Sequence, residues 1–564
     1  MPKYICFIYL IFFLIPNSYC NQLTNKDFPQ HYVETYDVLK AEDHPLAGRA
    51  FEIFERVKNA ADKSYNAPPN IVILKRGTVP PTVLKTGYVL ISQTTLERCY
   101  QGVKKSMGDS RLAFIIGHEL AHLANSDYWI DKSRSHLIPD SEVEKILKKN
   151  SCQDLQMELK ADAYGMVFAA MAGFESEALL QENGQIFFSS WPQQPDSIHP
   201  SPQARAEQLK QEIHSICETI DLFHLGLRLY QMGKHADALP LLLAFQQTFP
   251  CREVSNLIGL IYYQQAIDAL ARFDPQKAYQ FKLSIILDTD TRAAQFRTSD
   301  RQDFMDNLKN AIWHFKMACD KDLQYIPARA NLSASLILNG KIHGAMNILK
   351  QALEIKDNDP AIMNNKAIAL YLLGTEIKVD MFQQSVDLFH QVIQQKPEFS
   401  DAYYNLGQIM KVRKRLHSSH KCFKQYLEIQ PYGHFSKITC QILKQPYHKP
   451  EHKQCSQKIL SSVSIFPGEF NHSVKKKIDA LHLEAYVLPM GVYSGSYYKG
   501  NGYYILVLEG TIELVEMPVS SVIDYPTQCH PLKSHKNMST GMITVIFDHW
   551  GIELLQNKIV KIIL

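Results

Sequence analysis

Apolar residues change their spacing several times along this chain, and each change marks a different kind of element. Leu112-Ala113-Phe114-Ile115-Ile116 is an unbroken apolar run of the kind that makes a buried helix, and it leads directly into His118-Glu119-Leu120-Ala121-His122. A second helix-like stretch begins at Asp154. Leu155, Met166, Val167 and Ala170 are its apolar residues, while Glu158 and Asp162, four apart, share one side. Upstream, Ile71 to Leu74 and Tyr88 to Ile91 are short β-rich runs, and the second is expected to be an edge strand on which a substrate backbone could pair. From about 217 to 433 a 34-residue period takes over: Gly340 and Gly374, Ala311 and Ala345, and Asn331 and Asn365 are each 34 apart. Gly226 to Pro250 and Gly407 to Pro431 both span 24 residues. Five helical hairpins are expected, near 219–252, 253–325, 326–359, 360–399 and 400–433. The second is lengthened by about 30 residues around 271–303, and the fourth by about six around 376–382. Pro446 to Lys453 is polar and Pro-bearing, as linkers are. Beyond Leu481 the pattern becomes that of strands, at Tyr503 to Leu508, Ile512 to Met517, Ile543 to Phe547 and Lys558 to Leu564. Gly500-Asn501-Gly502 and Glu509-Gly510 supply turns.

At 564 residues the chain exceeds a single core. Its 46% hydrophobic and 21% charged residues indicate a globular protein, and a net charge of +3 gives no nucleic-acid footprint. Lys3, the apolar stretch Tyr4 to Pro16, and Ser18 and Cys20 before Asn21 read as an export signal cut after residue 20. No later apolar run reaches eighteen residues, so the mature chain is expected to lack a transmembrane segment and to work in an exported compartment. The divisions expected are 1–20 signal, 21–216 catalytic domain, 217–433 repeat array, 434–475 linker and 476–564 β-rich accessory domain. Nine of the 11 cysteines lie beyond the signal, with no C-x-x-C pair. Cys440 and Cys455 could form a disulfide, and the odd total leaves at least one free thiol.

The chemistry concentrates in His118-Glu119-x-x-His122. On a helix both imidazoles face one way and can bind one Zn²⁺, with Glu119 placed as general base for a metal-bound water. By composition alone such a motif arises in about 4% of chains like this one, so its surroundings decide its meaning. Two carboxylates on one partly buried face, Glu158 and Asp162, need a compensating cation or donor. The economical arrangement puts Glu158 on the metal and leaves Asp162 to accept the outer N–H of a ligating His.

These residues, with His199-Pro200 and Arg205 following in order, resemble the gluzincin family of the bacterial heat-shock membrane protease and the CAAX prenyl protease. That family carries H-E-x-x-H, a later Glu-x-x-Ala-Asp helix, and a His-Pro with an Arg about five residues on. The resemblance implies one Zn²⁺ per chain held by His118, His122 and Glu158, with Glu119 catalytic and Asp162 and Arg205 behind the ligands. His199 is left with two roles, donor to the oxyanion or a gating fourth ligand. Where family members often carry Asn-Ala before the edge strand, this chain has Pro80-Pro81-Thr82-Val83. The 34-residue period resembles the tetratricopeptide repeat, and the two together resemble the periplasmic BepA-type proteases. The fold implied is multidomain and mainly α: an α+β zincin-like domain, a tetratricopeptide solenoid and a small all-β module. The function implied is hydrolysis of misfolded or stalled outer-membrane proteins in the periplasm, with protein substrates, and through the array the outer-membrane assembly machinery, as partners. An assembly factor or chaperone acting mainly by binding is the alternative.

Overall fold

The computed structural model describes residues 37–61, 68–75, 80–84, 86–125, 151–181, 183–191, 201–286, 301–448, 465–467, 469, 471–488, 495–501, 503–524, 533–536, 543–546, 551–555 and 558–564. The expected signal, His199 and Cys455 lie outside them. Contacts divide the chain into two compact units, Met1–Cys217 and Glu218–Leu564.

In the first unit α1 (Pro45–Ala60) begins on Pro45. Its N-cap His44 accepts the Leu46 N–H, and Ala47, Ala50, Ile53, Phe54 and Val57 are buried. A three-stranded sheet follows: β1 (Asn70–Leu74) runs parallel to β3 (Tyr88–Ser92), and β2 (Thr82–Val83) pairs antiparallel on the other side of β3. The expected edge strand is therefore central. Val89, Leu90 and Ile91 are all fully buried, which fits a strand with a neighbour on each side, and the edge falls to the two residues of β2. β3 leads straight into α2 (Gln93–Tyr100), capped by Ser92. Two 21-residue helices, α3 (Lys105–Asn125) and α4 (Ser151–Met171), then pack on each other. Asp109 in α3 is held by Arg49 of α1 and by the Tyr100 hydroxyl at 2.7 Å.

The helix α5 (Pro202–Gln231) runs through the division at 217/218. In the second unit its end and α6 (His235–Thr248) begin a series of helical hairpins. The others are α7 (Arg252–Phe273) with α8 (Arg301–Lys321), α9 (Ile326–Leu338) with α10 (Ile342–Ile355), α11 (Pro360–Glu376) with α12 (Phe382–Gln395), and α13 (Ser400–Val412) with α14 (Leu416–Ile429). α9 and α11 begin 34 residues apart, which is the tetratricopeptide period, and α11 and α13 begin 40 apart. The extra residues lengthen α11 and add a turn through Lys378, whose φ is 57°. Within a hairpin the helices meet at small residues: a Cβ on Gly407 would lie 2.8 Å from the Phe423 ring.

Where a linker is expected from 434, the structure has α15 (His434–Leu443). Its Phe435, Ile442 and Leu443 pack on Tyr404, Phe423 and Tyr426, covering the apolar flank that the last hairpin would otherwise expose. Cys440 in this helix is a buried free thiol. After the short α16 (Asn471–Asp479), the C-terminal part is an eight-stranded antiparallel sheet in the order β4-β5-β6-β7-β11-β10-β9-β8. Its strands are β4 (Glu484–Val487), β5 (Gly495–Gly500), β6 (Tyr503–Leu508), β7 (Thr511–Asp524), β8 (Lys533–Lys536), β9 (Ile543–Ile546), β10 (Gly551–Leu555) and β11 (Lys558–Ile563). The sheet is tied to the first hairpin. Asp221 of α5 accepts from the Tyr497 and Tyr504 hydroxyls at 3.1 and 3.0 Å, and the fully buried Glu516 accepts from Arg228 Nε at 2.8 Å and faces His224 Nε2 at 3.0 Å. Among the described residues no helix is long and apolar enough to cross a membrane.

Candidate metal centre

α3 supplies His118, Glu119 and His122, and α4 supplies Glu158 and Asp162. The two helices come close because each has a glycine at the crossing. A Cβ on Gly117 would sit 2.7 Å from the Gly165 carbonyl oxygen, and one on Gly165 would sit 2.8 Å from the His118 backbone nitrogen. Backbone thus meets backbone where any other residue would hold the helices apart. Neither glycine belongs to the H-E-x-x-H or Glu-x-x-Ala-Asp pattern. The available signal was a glycine inside each of two helical runs, where it costs about 1 kcal/mol relative to alanine and usually has a packing reason.

This approach brings His118, His122 and Glu158 together, with one donor atom from each within 4.8 Å of the others. The two imidazole Nε2 atoms are 3.0 Å apart. His118 Nε2 lies 3.5 Å from Glu158 Oε2, and His122 Nε2 lies 3.4 Å from Glu158 Oε1. Donors at about 2.1 Å from a tetrahedral ion stand about 3.4 Å from one another, so the three separations suit a small cation. Behind these three side chains, Asp162 Oδ1 is 2.8 Å from His118 Nδ1. The Nδ1–H donates to this carboxylate, which leaves the Nε2 lone pair free to face the other donors.

Arg205, in the first turn of α5, closes the cluster. It donates to Asp162 through Nε at 3.2 Å and through one terminal nitrogen, and its other terminal nitrogen meets Glu158 Oε2 at 2.9 Å. Its guanidinium lies over the Phe188 ring at 5.4 Å. Arg205 and Asp162 thus stand behind the three donors. His199, the remaining site residue expected from sequence, lies outside the described residues.

His118, Glu119 and Glu158 are each about 5% exposed and Asp162 is fully buried, so the charges here answer to one another. Burial raises the Asp162 carboxyl, but Arg205 and His118 outweigh it and hold the group below the usual range. Burial and Arg205 pull His118 down, and Asp162 and Glu158 more than reverse this, leaving it raised. Glu119 is raised, by burial first and by Glu158 next, against His118, His122 and Arg205. The centre therefore joins two imidazoles and a carboxylate with a second carboxyl whose affinity for protons is enhanced.

No known family model matches the chain, and no curated protein matches it. Among solved structures it is similar to a thermophilic TPR protein of Thermus thermophilus, with 13% identity over 40% of this chain and 99% of that one and a TM-score of 0.29. YrrB, a TPR protein with an unusual peptide-binding site, shares 15% identity over 41% of this chain and 97% of that one, at a TM-score of 0.25. MamA from Desulfovibrio magneticus shares 11% over 38% and 96%, at 0.26.

Proposed function

We propose that this chain is an exported zinc-dependent endopeptidase that acts on misfolded or stalled envelope proteins in the periplasm, with the repeat array holding the polypeptide. The observation that carries the hydrolase reading is the meeting of His118, His122 and Glu158 beside the buried Glu119. Two imidazoles and a carboxylate form a donor set suited to Zn²⁺, and these three residues would hold it. Once bound there, the ion supplies a Lewis acid for a peptide carbonyl and eases the ionisation of water. Glu119 takes the proton of the attacking water and returns it to the leaving amine. Asp162 keeps His118 in the tautomer with Nε2 free, and Arg205 offsets the charge of Glu158 and Asp162. His199 is carried as oxyanion donor or gating ligand.

The test combines metal analysis with cleavage of an unfolded protein by wild type and Glu119→Gln. About one zinc per chain is expected in both, with cleavage in the wild type alone. Chelation is expected to stop it. Absence of cleavage by zinc-loaded wild type and by His199→Ala defeats the hydrolase reading. A second reading, an assembly factor that binds without cutting, is favoured by residues 282–286, whose backbone N–H groups at 282, 284 and 286 donate to Asn405, Asn365 and Asn331 of the repeat helices, and it then stands alone.

A further inference from the structure

The hairpin of α7 and α8 is joined by residues 274–300, whereas the α9–α10 and α13–α14 hairpins turn in 339–341 and 413–415. A hairpin needs only a few residues to turn, so this long connection serves something other than the turn. Its described part does not loop outward. After the short helical turn Pro275–Ala278, residues 281–286 run extended along the first helices of three successive hairpins.

The contact is periodic. Asn405 of α13 accepts the Lys282 N–H at 2.7 Å and donates to the Lys282 carbonyl at 2.9 Å. Asn365 of α11 does the same for Ser284, at 2.8 Å both ways. Asn331 of α9 does the same for Ile286, at 2.7 Å both ways. Each carboxamide thus pairs both backbone groups of every second residue, as a neighbouring strand would. All three asparagines are fully buried, so each depends on an extended chain to satisfy its amide. A further buried amide continues the row: Asn256 of α7 accepts from Asn331 at 3.0 Å, and its Nδ2 has no hydrogen-bond partner among the described residues.

Backbone pairing of this kind is indifferent to side chains except that it excludes proline at the paired positions. Selectivity comes from Asp401. Its carboxylate meets Lys282 Nζ at 2.8 Å and accepts from the Ser284 hydroxyl at 2.7 Å, and Asn364 donates to the same hydroxyl at 2.9 Å. Phe281 precedes the paired positions, and Leu283 and Ile285 lie between them, the latter 37% exposed.

We infer that Asn331, Asn365 and Asn405 form a binding site for one extended polypeptide strand of the pattern cation-x-small hydroxyl, and that residues 282–286 occupy it in cis until such a strand displaces them. The exchange trades one set of backbone hydrogen bonds for an equivalent set, so the internal segment sets a threshold without closing the site. The inference gives atoms to the binding role proposed for the array and rests on that part of the reading only. It makes no use of the metal centre.

The test uses the full chain and a fluorescein-labelled peptide of sequence Phe-Lys-Leu-Ser-Ile-Ile, read by fluorescence anisotropy. The variant Lys282→Glu/Ser284→Pro loses the ion pair with Asp401 and the N–H to Asn365, which frees the site. It is expected to bind the peptide at least about tenfold more tightly than wild type, because the competing segment no longer reduces the fraction of open sites. Adding Asn365→Ala to that variant is expected to abolish the gain, as is replacing the peptide's serine by proline. Equal affinity in wild type and the freed variant, or indifference to Asn365→Ala, overturns the inference. Should the variant not fold, hydrogen exchange on the wild type decides: excess peptide is expected to accelerate exchange at the 282, 284 and 286 amides, and unchanged exchange at saturating peptide overturns it. Peptide cleavage is not the readout, so an inactive metal centre leaves the result interpretable.

Discussion

His314 shows what burial alone does to a titratable group in this protein. It lies in α8, stacked 5.6 Å from the Tyr262 ring, about 5% exposed, with no hydrogen-bond partner for Nδ1 among the described residues. Burial pushes its pKa from the ordinary 6.5 to about 4. Above pH 6.5 the group is neutral in both the folded and the unfolded chain and adds nothing to the pH dependence. Between these values the unfolded chain takes up a proton that the fold refuses, so stability falls as pH falls, by on the order of 3 kcal/mol once pH is below 4. His314→Leu is expected to flatten that part of the profile, measured by urea unfolding at pH 7 and pH 5. An unchanged slope removes His314 as its source. Histidines at the candidate metal centre differ because their partners are carboxylates, and four-residue spacing made that much readable: His118 and His122 share a face by helix geometry, as do Glu158 and Asp162. Asn331 and Asn365 were readable as period markers but not as ligands, since a spacing of 34 residues says nothing of what the side chains meet.

Helices and strands were legible where their apolar pattern was long and regular, and the crossing of α3 and α4 shows where legibility ended. Each helix announces itself through its own residues, but the closeness of the pair depends on Gly117 and Gly165 lying opposite each other, 48 positions apart in the chain. Gly165→Ala puts a methyl group 2.8 Å from the His118 nitrogen. The helices must separate, at a cost of about 1–3 kcal/mol, and Glu158 and Asp162 withdraw with α4. A lower unfolding midpoint is expected together with weaker binding of the zinc proposed for this site, measured by thermal denaturation and competition with a chelator. A variant that keeps both refutes the tight crossing. The misplaced edge strand has a similar cause. The partner that makes β3 central, β2, is only two residues long and leaves no periodicity to detect.

Within the second unit, the sheet and the first hairpin are joined by buried charges. Glu516 is fully buried in β7, and the cation it faces, Arg228, is 288 residues earlier in the chain. Breaking such a pair from one side leaves a buried charge and typically costs about 3–5 kcal/mol. Glu516→Ala is therefore expected to destabilise this unit by that order and to split its unfolding into two transitions, sheet first, followed by urea denaturation with circular dichroism. A single transition at the wild-type midpoint means the sheet is held by its apolar contacts instead.

The sequence by itself determined what local periodicity can carry: a helical H-E-x-x-H segment, a second helix with paired carboxylates, a 34-residue hairpin repeat and a β-rich end. Each of these depends only on residues within a turn, a strand or one repeat of each other. Tertiary structure alone decided which faces met. It set Glu158 beside the imidazoles, Arg205 behind them, Glu516 against Arg228, and the chain's own residues 282–286 on the asparagine row. Those outcomes depend on glycines, buried charges and amides whose partners are distant in sequence. Such groups have one energetic requirement, that burial be compensated, and many candidate partners, and only the packed chain selects among them.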